Sequence, residues 1–281
     1  MSRTIQLLVI DPQNDFCDLP ATYLAPDSTP SLPVRGAHAD LQRVASFVTA
    51  VGSALDAITI TLDSHHRLDI AHPGFWQRQD GGAVAPFTQI TAAALRAGQF
   101  RPRTETDLTP ALLYLDRLEA RGRYTLMVWP VHCEIGSWGQ AVHADVRAAY
   151  NRWEEQTLRS VAKIAKGQNR YTEHYSAVLA EVPDPTDPRT LRNDALLAAL
   201  DSADLLLVAG EASSHCVKAT VEDLIEHLPS ARPERIVLLT DCMSPVAGFE
   251  SAHAAFLQHA AGRGVRLATH VEMLAELGKN A

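Results

Sequence analysis

LLLVAGEASSHCVKATVEDL, residues 205–224, changes character twice within a short span. Leu205-Leu206-Leu207-Val208-Ala209 is an apolar run of the length of a buried strand. Gly210 breaks it, and a small polar segment follows, Glu211-Ala212-Ser213-Ser214-His215. From Cys216 onward, Val217, Thr220, Val221 and Leu224 recur at helical spacing. The pattern predicts strand, tight turn and helix, with a cysteine in the first helical turn. There the unpaired N–H groups and the positive end of the helix dipole favour a thiolate. The same N–H groups could hold a negative oxygen developing on a substrate carbonyl. Free cysteine is also among the most buried residue types, so a purely structural thiol is the competing reading.

Composition narrows the setting. The chain has 281 residues, 46% hydrophobic and 21% charged, which suits a protein with a full core. Its net charge is −8, and the segments Arg96 to Arg103 and Arg117 to Arg123 are only locally basic, so nucleic acid is not the expected partner. Cys17, Cys133, Cys216 and Cys242 are far apart with no CxxC pair, which fits a reducing compartment. The apolar run Ile5 to Ile10 ends at Asp11, too short for a signal peptide or a membrane span. A cytoplasmic location is expected, with no membrane partner.

Outward from the cysteine, apolar strand patterns alternate with helical ones. Strands are predicted at Ile5 to Ile10, Ala57 to Leu62, Tyr124 to Val128, Val161 to Lys166, Leu205 to Ala209 and Ile236 to Leu239, with a short one at Val265 to Ala268. Helices are predicted at Gly36 to Val51, Ile90 to Leu95, Leu108 to Ala120 (with Thr109-Pro110 as cap and first position), Gln140 to Glu155, Leu191 to Leu200, Phe249 to Ala260 and Val271 to Leu277. The expected fold is a single doubly wound, mainly parallel six-stranded α/β sheet with helices on both faces, spanning 1–281. Loop insertions are expected near 77–106 and 183–188.

Several chemically capable residues stand just past predicted strand ends. Asp11 follows the first strand, Asp63 and His65 the second, His132 the third, Lys166 the fourth and Cys216 the fifth. In a parallel sheet these ends share one edge, where open α/β folds bind ligands. Asp63 and His65, at i and i+2, make a hard-to-borderline divalent metal pair. Trp129 flanks His132 and could stack on a flat substrate.

The segments Ile10-Asp11-Pro12-Gln13-Asn14-Asp15-Phe16-Cys17, Asp63-Ser64-His65, Trp129-Pro130-Val131-His132-Cys133, Lys166-Gly167 and Gly210 to Val217 resemble the isochorismatase-like cysteine hydrolases, and among them the nicotinamidases. The resemblance runs from Ile5 to about Pro245. It implies a triad of Asp11, Lys166 and Cys216, with Cys216 as nucleophile, Asp11 as proton acceptor and donor, and Lys166 as electrostatic support. It implies a cis peptide between Glu211 and Ala212, aiming the N–H groups of Ala212 and Cys216 at the carbonyl oxygen. It implies a divalent ion, zinc first with iron or manganese as alternatives, on Asp63, His65 and His132. His72 is a further candidate ligand, although its spacing differs and His66 competes. Phe16 and Trp129 match positions that sandwich an aromatic ring. Relatives acting on isochorismate lack the cysteine, so Cys216 favours amide cleavage.

The implied activity is metal-dependent hydrolysis of nicotinamide to nicotinate and ammonia. Alternatives are another small amide (carbamoyl, ureido or aromatic), a two-histidine-one-carboxylate iron oxygenase that leaves Lys166 and Cys216 without a role, and a non-enzymatic interaction protein on this scaffold. Homo-oligomerisation is a family expectation. The two insertions are expected to cap the site or to serve a subunit interface.

Overall fold

The computed structural model describes residues 3–278. The chain begins with β1 (Ile5–Ile10), α1 (Ala37–Val51) and β2 (Ala57–Asp63). It continues through β3 (Trp76–Arg78), β4 (Thr88–Ile90), α2 (Ala92–Arg96), β5 (Phe100–Pro102), α3 (Leu108–Arg121) and β6 (Leu126–Val128). Then come α4 (Ala144–Thr157), β7 (Ala162–Lys166), α5 (Asp194–Asp201), β8 (Leu205–Gly210), α6 (Cys216–His227), β9 (Ile236–Leu239), α7 (Glu250–Gly262), β10 (Arg266–Ala268) and α8 (His270–Gly278).

Six strands form one sheet in the order β10-β9-β8-β1-β2-β7, and every pairing within it is parallel. All residues of β1 and β8 are buried, which requires cover on both faces and explains their continuous apolar sequence. α1 packs on β8, α4 and α8, while α6 packs on α7. From the centre, β1 leads outward to β2 and β7, and β8 leads the other way to β9 and β10. The reversal opens a crevice at the carboxyl ends of β1 and β8. Gly210 closes that pair: its φ is +118° and a Cβ there would stand 2.0 Å from the Ile10 carbonyl oxygen.

The predicted strand at Tyr124 to Val128 does not join this sheet. Leu126–Val128 pairs antiparallel with Thr88–Ile90, and β10 is the sixth strand of the main sheet instead. The place beside β2 is taken by β7. Leu126 and Val128 bury their side chains in a second apolar cluster with Trp76, Ile90, Tyr114 and Leu118. Residues 77–106 are therefore more than a loop. They contribute β4, α2 and β5, and with α3 and β6 they share that second core.

Several helix ends also move. α3 begins at Leu108 as predicted, but its cap residue is Asp107 rather than Thr109. α4 starts only at Ala144, where the His143 ring accepts from the Asp145 amide. α5 starts at Asp194, capped by the Asn193 side chain. In each case a side chain or turn before the apolar periodicity sets the start. No described helix is long and apolar enough to cross a membrane.

Candidate active site

Three of the sequence-predicted residues meet in the crevice. Asp11 follows β1 with φ +43°, an uncommon backbone state for a residue with a side chain. Its amide donates to Thr61 Oγ1 at 3.0 Å, and the Thr61 hydroxyl donates to Asp11 Oδ1 at 2.6 Å. Lys166 ends β7, paired in register with Asp63. Its Nζ lies 2.8 Å from Asp11 Oδ2 and 3.2 Å from Asp63 Oδ1. It also donates to the His174 carbonyl at 3.0 Å and reaches Cys216 Sγ at 3.5 Å. Asp11, Lys166 and Cys216 are all buried.

The electrostatics around Cys216 oppose the thiolate that the helix start favours. Burial pushes the thiol well above its ordinary value, Lys166 opposes this, and Asp11 and Asp63 add to it. Desolvation and two facing carboxylates favour the neutral thiol. Burial also lifts the Asp11 carboxyl, against the pull of Lys166. That makes Asp11 a stronger proton acceptor than a surface carboxylate. Burial works against the Lys166 ammonium, but Asp11 and Asp63 more than offset it and hold the group charged. The pattern is a neutral thiol beside a carboxylate base and a fixed cation.

The turn before α6 carries two amides facing no protein acceptor. The Glu211–Ala212 peptide is cis. Among the described residues the N–H groups of Ala212 and Cys216 donate to no backbone carbonyl. Paired free donors beside a thiol can receive a negatively charged oxygen.

A few ångströms away, His65, His72 and His132 form a buried cluster whose ligating atoms lie within 4.8 Å of one another. His72 Nε2 is 3.3 Å from His132 Nδ1. Asp63 Oδ2 is 3.1 Å from His65 Nε2 and 3.4 Å from His132 Nε2. Burial and the neighbouring imidazoles hold His72 down to about 2, hence neutral and ready to ligate. Three converging imidazoles and a carboxylate suit a borderline divalent ion such as zinc. The tertiary structure thus brings His72 into the set. His66 is exposed and offers only its backbone oxygen to His72 Nδ1. His132 arrives from the loop after β6 rather than from a strand of the main sheet.

Phe16, Leu32, Trp129, Tyr175, His215 and Val246 wall the cleft above Cys216. Its free volume, about 20 Å³, holds little more than one water-sized guest. Phe16 packs on His132 with ring centroids 5.5 Å apart, and Trp129 meets His215 edge-on at 5.1 Å. Phe87, from the 77–106 insertion, sits edge-on to Trp129 at 5.9 Å. The 183–188 loop does not cover Cys216. Pro183 and Asp184 line a separate cleft of about 310 Å³ beside α3.

Several residues at the site had no role assigned from sequence. Glu173 Oε1 lies 3.9 Å from His65 Nε2, and Asp69 Oδ2 lies 3.2 Å from His65 Nδ1. Tyr175 accepts the Trp129 indole N–H at 3.0 Å. Glu173, His174 and Tyr175 follow Lys166 in an irregular connection, where periodicity gives no signal. An acid, an imidazole and a phenol in consecutive positions were the only sign available.

No protein-family model matches the sequence, and no curated protein matches it either. Solved structures do match over nearly the whole chain. An Acinetobacter baumanii nicotinamidase/pyrazinamidase superposes with a TM-score of 0.62 at 17% identity, covering 97% of this chain and 99% of that one. The yeast nicotinamidase gives 0.60 at 18%, covering 94% and 99%. A Pyrococcus horikoshii pyrazinamidase in complex with zinc gives 0.54 at 17%, covering 94% and 98%. The chain has the isochorismatase-like α/β fold, as seen in solved nicotinamidases and pyrazinamidases.

Proposed function

We propose that the protein is a metal-dependent cysteine amidohydrolase acting on a small amide, with nicotinamide as the first candidate. The observation that carries this reading is the contact chain Asp11–Lys166–Cys216, with Lys166 Nζ 2.8 Å from the carboxylate and 3.5 Å from the sulfur. Asp11 takes the thiol proton as Cys216 Sγ attacks the amide carbon. The carbonyl oxygen gathers negative charge against the N–H groups of Ala212 and Cys216. Collapse of this adduct breaks the C–N bond, and Asp11 returns the proton to the departing ammonia. Water, deprotonated by Asp11, then cleaves the thioester and releases the acid. Lys166 stays charged throughout and balances whichever of Asp11 and Cys216 is anionic. Phe16 and Trp129 would flank an aromatic ring.

Asp63, His65, His72 and His132 would hold the divalent ion, which when bound can take a substrate heteroatom or orient a water. Ammonia release from nicotinamide, measured on wild type, Cys216→Ala and metal-stripped protein in parallel, tests this reading. Loss in both altered samples supports it. Absence of ammonia from metal-replete wild type sinks nicotinamide as substrate. In that event the second reading is another small amide (carbamoyl, ureido or aromatic), and a panel of such amides decides it.

A further inference from the structure

Glu211 is a charged residue type in a place that offers it no cation. It stands between Gly210 and the turn that presents Cys216, and it is 0% exposed. Its amide donates to the Ile10 carbonyl at 2.8 Å. Its Oε2 accepts the Ser244 amide at 3.1 Å, while Oε1 has no hydrogen-bond donor. The acidic groups facing it are Asp40 from α1 and, farther off, Asp18, together with the buried Cys17 thiol. Asp40 is itself 2% exposed. It takes the Ser244 hydroxyl on Oδ2 at 2.5 Å and pairs with Arg43 through Oδ1. His253 and the buried Cys242 thiol are further titratable side chains near Asp40. Arg43 is already committed, since its Nε donates to the Asp241 carbonyl. Two neighbouring buried carboxyls, of which only Asp40 has a cation, cannot both ionise cheaply. A proton on Glu211 gives its donor-less side a bond to make, to Asp40.

That bond would tie together the pieces that shape the cleft. Ser244 is held by Glu211 through its amide, by Asp40 through its hydroxyl, and by the Ser213 amide, which donates to its carbonyl at 2.9 Å. Two residues on, the Val246 amide donates to Ser214 Oγ at 3.1 Å, and Val246 lines the cleft with Ala212 and Cys216. We propose that the Glu211–Asp40 carboxyl pair holds one shared proton, and that this proton positions the Ser213–Ser214 turn and the Ser244–Val246 wall around Cys216. Glu211 touches no reacting atom and is a positioning residue. Losing the proton at alkaline pH sets two anions against each other and loosens the turn. The inference rests on the reading of Cys216 as the nucleophile.

The test is the rate of Cys216 alkylation by iodoacetamide, mapped by peptide mass spectrometry from pH 7 to pH 10, which needs no substrate. Glu211→Gln keeps a donor for Asp40 and an acceptor for Ser244 but cannot ionise. Its rate should match wild type at pH 7, and the variant-to-wild-type ratio should depart from unity by about fivefold or more toward pH 10. Glu211→Leu should change the pH 7 rate about tenfold, the size of one lost buried hydrogen bond. If the amidase reading holds, Glu211→Leu should also raise KM, and Glu211→Gln should restore it. A Gln-to-wild-type ratio that stays flat with pH overturns the shared proton, even if Glu211→Leu fails to fold. A folded Glu211→Leu that reacts as wild type overturns the positioning role. No alkylation at Cys216 in wild type overturns the nucleophile reading and this inference together, whereas alkylation without nicotinamide hydrolysis leaves this inference standing and removes only that substrate.

Discussion

Replacing Glu181 with glutamine should stabilise the protein at alkaline pH and do progressively less as pH falls. Glu181 is 1% exposed, and neither of its carboxyl oxygens has a hydrogen-bond partner. Its amide donates to the Glu173 carbonyl at 2.9 Å, in the connection that carries Glu173 and Tyr175 to the site. Burial lifts its carboxyl from 4.5 to about 7, against the pull of Arg123 and Arg121. The native state therefore holds this proton more tightly than the unfolded chain does. Well below 4.5 both states are protonated and the residue costs nothing by this route. As pH rises the unfolded chain ionises first, and above about 7 the native state carries the whole cost. The gap corresponds to about 1 kcal/mol at pH 5 and about 3 kcal/mol at pH 8.

Glutamine keeps the shape and removes the titration. The fixed cost of burying an amide without partners is the same at every pH and cancels from the comparison. Urea unfolding of both proteins at pH 5 and pH 8 should show the variant gaining about 2 kcal/mol on wild type between the two conditions. If Arg121 and Arg123 instead kept Glu181 ionised as a productive ion pair, the variant would lose stability relative to wild type as pH rose. A flat or negative difference refutes the reasoning.

Lys166→Met should lower turnover by at least about a hundredfold, because Asp11 and Cys216 lose the cation that contacts both. It should also cost about 3–5 kcal/mol of stability by leaving Asp11 and Asp63 buried without it, and single-turnover kinetics with denaturant melts check both. His72→Ala should weaken zinc binding at least about tenfold by calorimetry, and His66→Ala should leave it unchanged; the opposite ranking would move the ligand to His66. Tyr175→Phe removes the acceptor of the buried Trp129 indole N–H. A stability loss of about 1–3 kcal/mol in urea is expected, with a raised KM if Trp129 flanks the substrate.

Much of the architecture was legible because it rests on local pattern. β1 and β8 read as continuous apolar runs, since both faces of a central parallel strand are covered. β7 read as irregular because it is the edge strand, with Ala162, Lys163 and Ala165 exposed. The Gly210 break and the helical spacing behind Cys216 located the turn to within a residue. β6 was misplaced for the complementary reason. Apolar residues at Leu126 and Val128 announce a strand, but nothing in a three-residue strand says which core receives it.

The sequence by itself determined the alternation of the main-sheet strands with their helices and the chemical types available at the strand ends: Asp11, Asp63, His65, Lys166 and Cys216. These follow from periodicity and from breaks in it, which are properties of neighbouring residues. The tertiary structure decided what depends on groups distant along the chain. It chose His72 over His66 by turning one inward and leaving the other exposed. It brought Glu173 and Tyr175 to the site from a connection without periodicity. It also set the protonation of the site, because the neutrality of Cys216 and the charge on Lys166 depend on burial and on carboxylates delivered by other strands. Desolvation and Coulomb interactions act through space, so no reading along the chain could have weighed them.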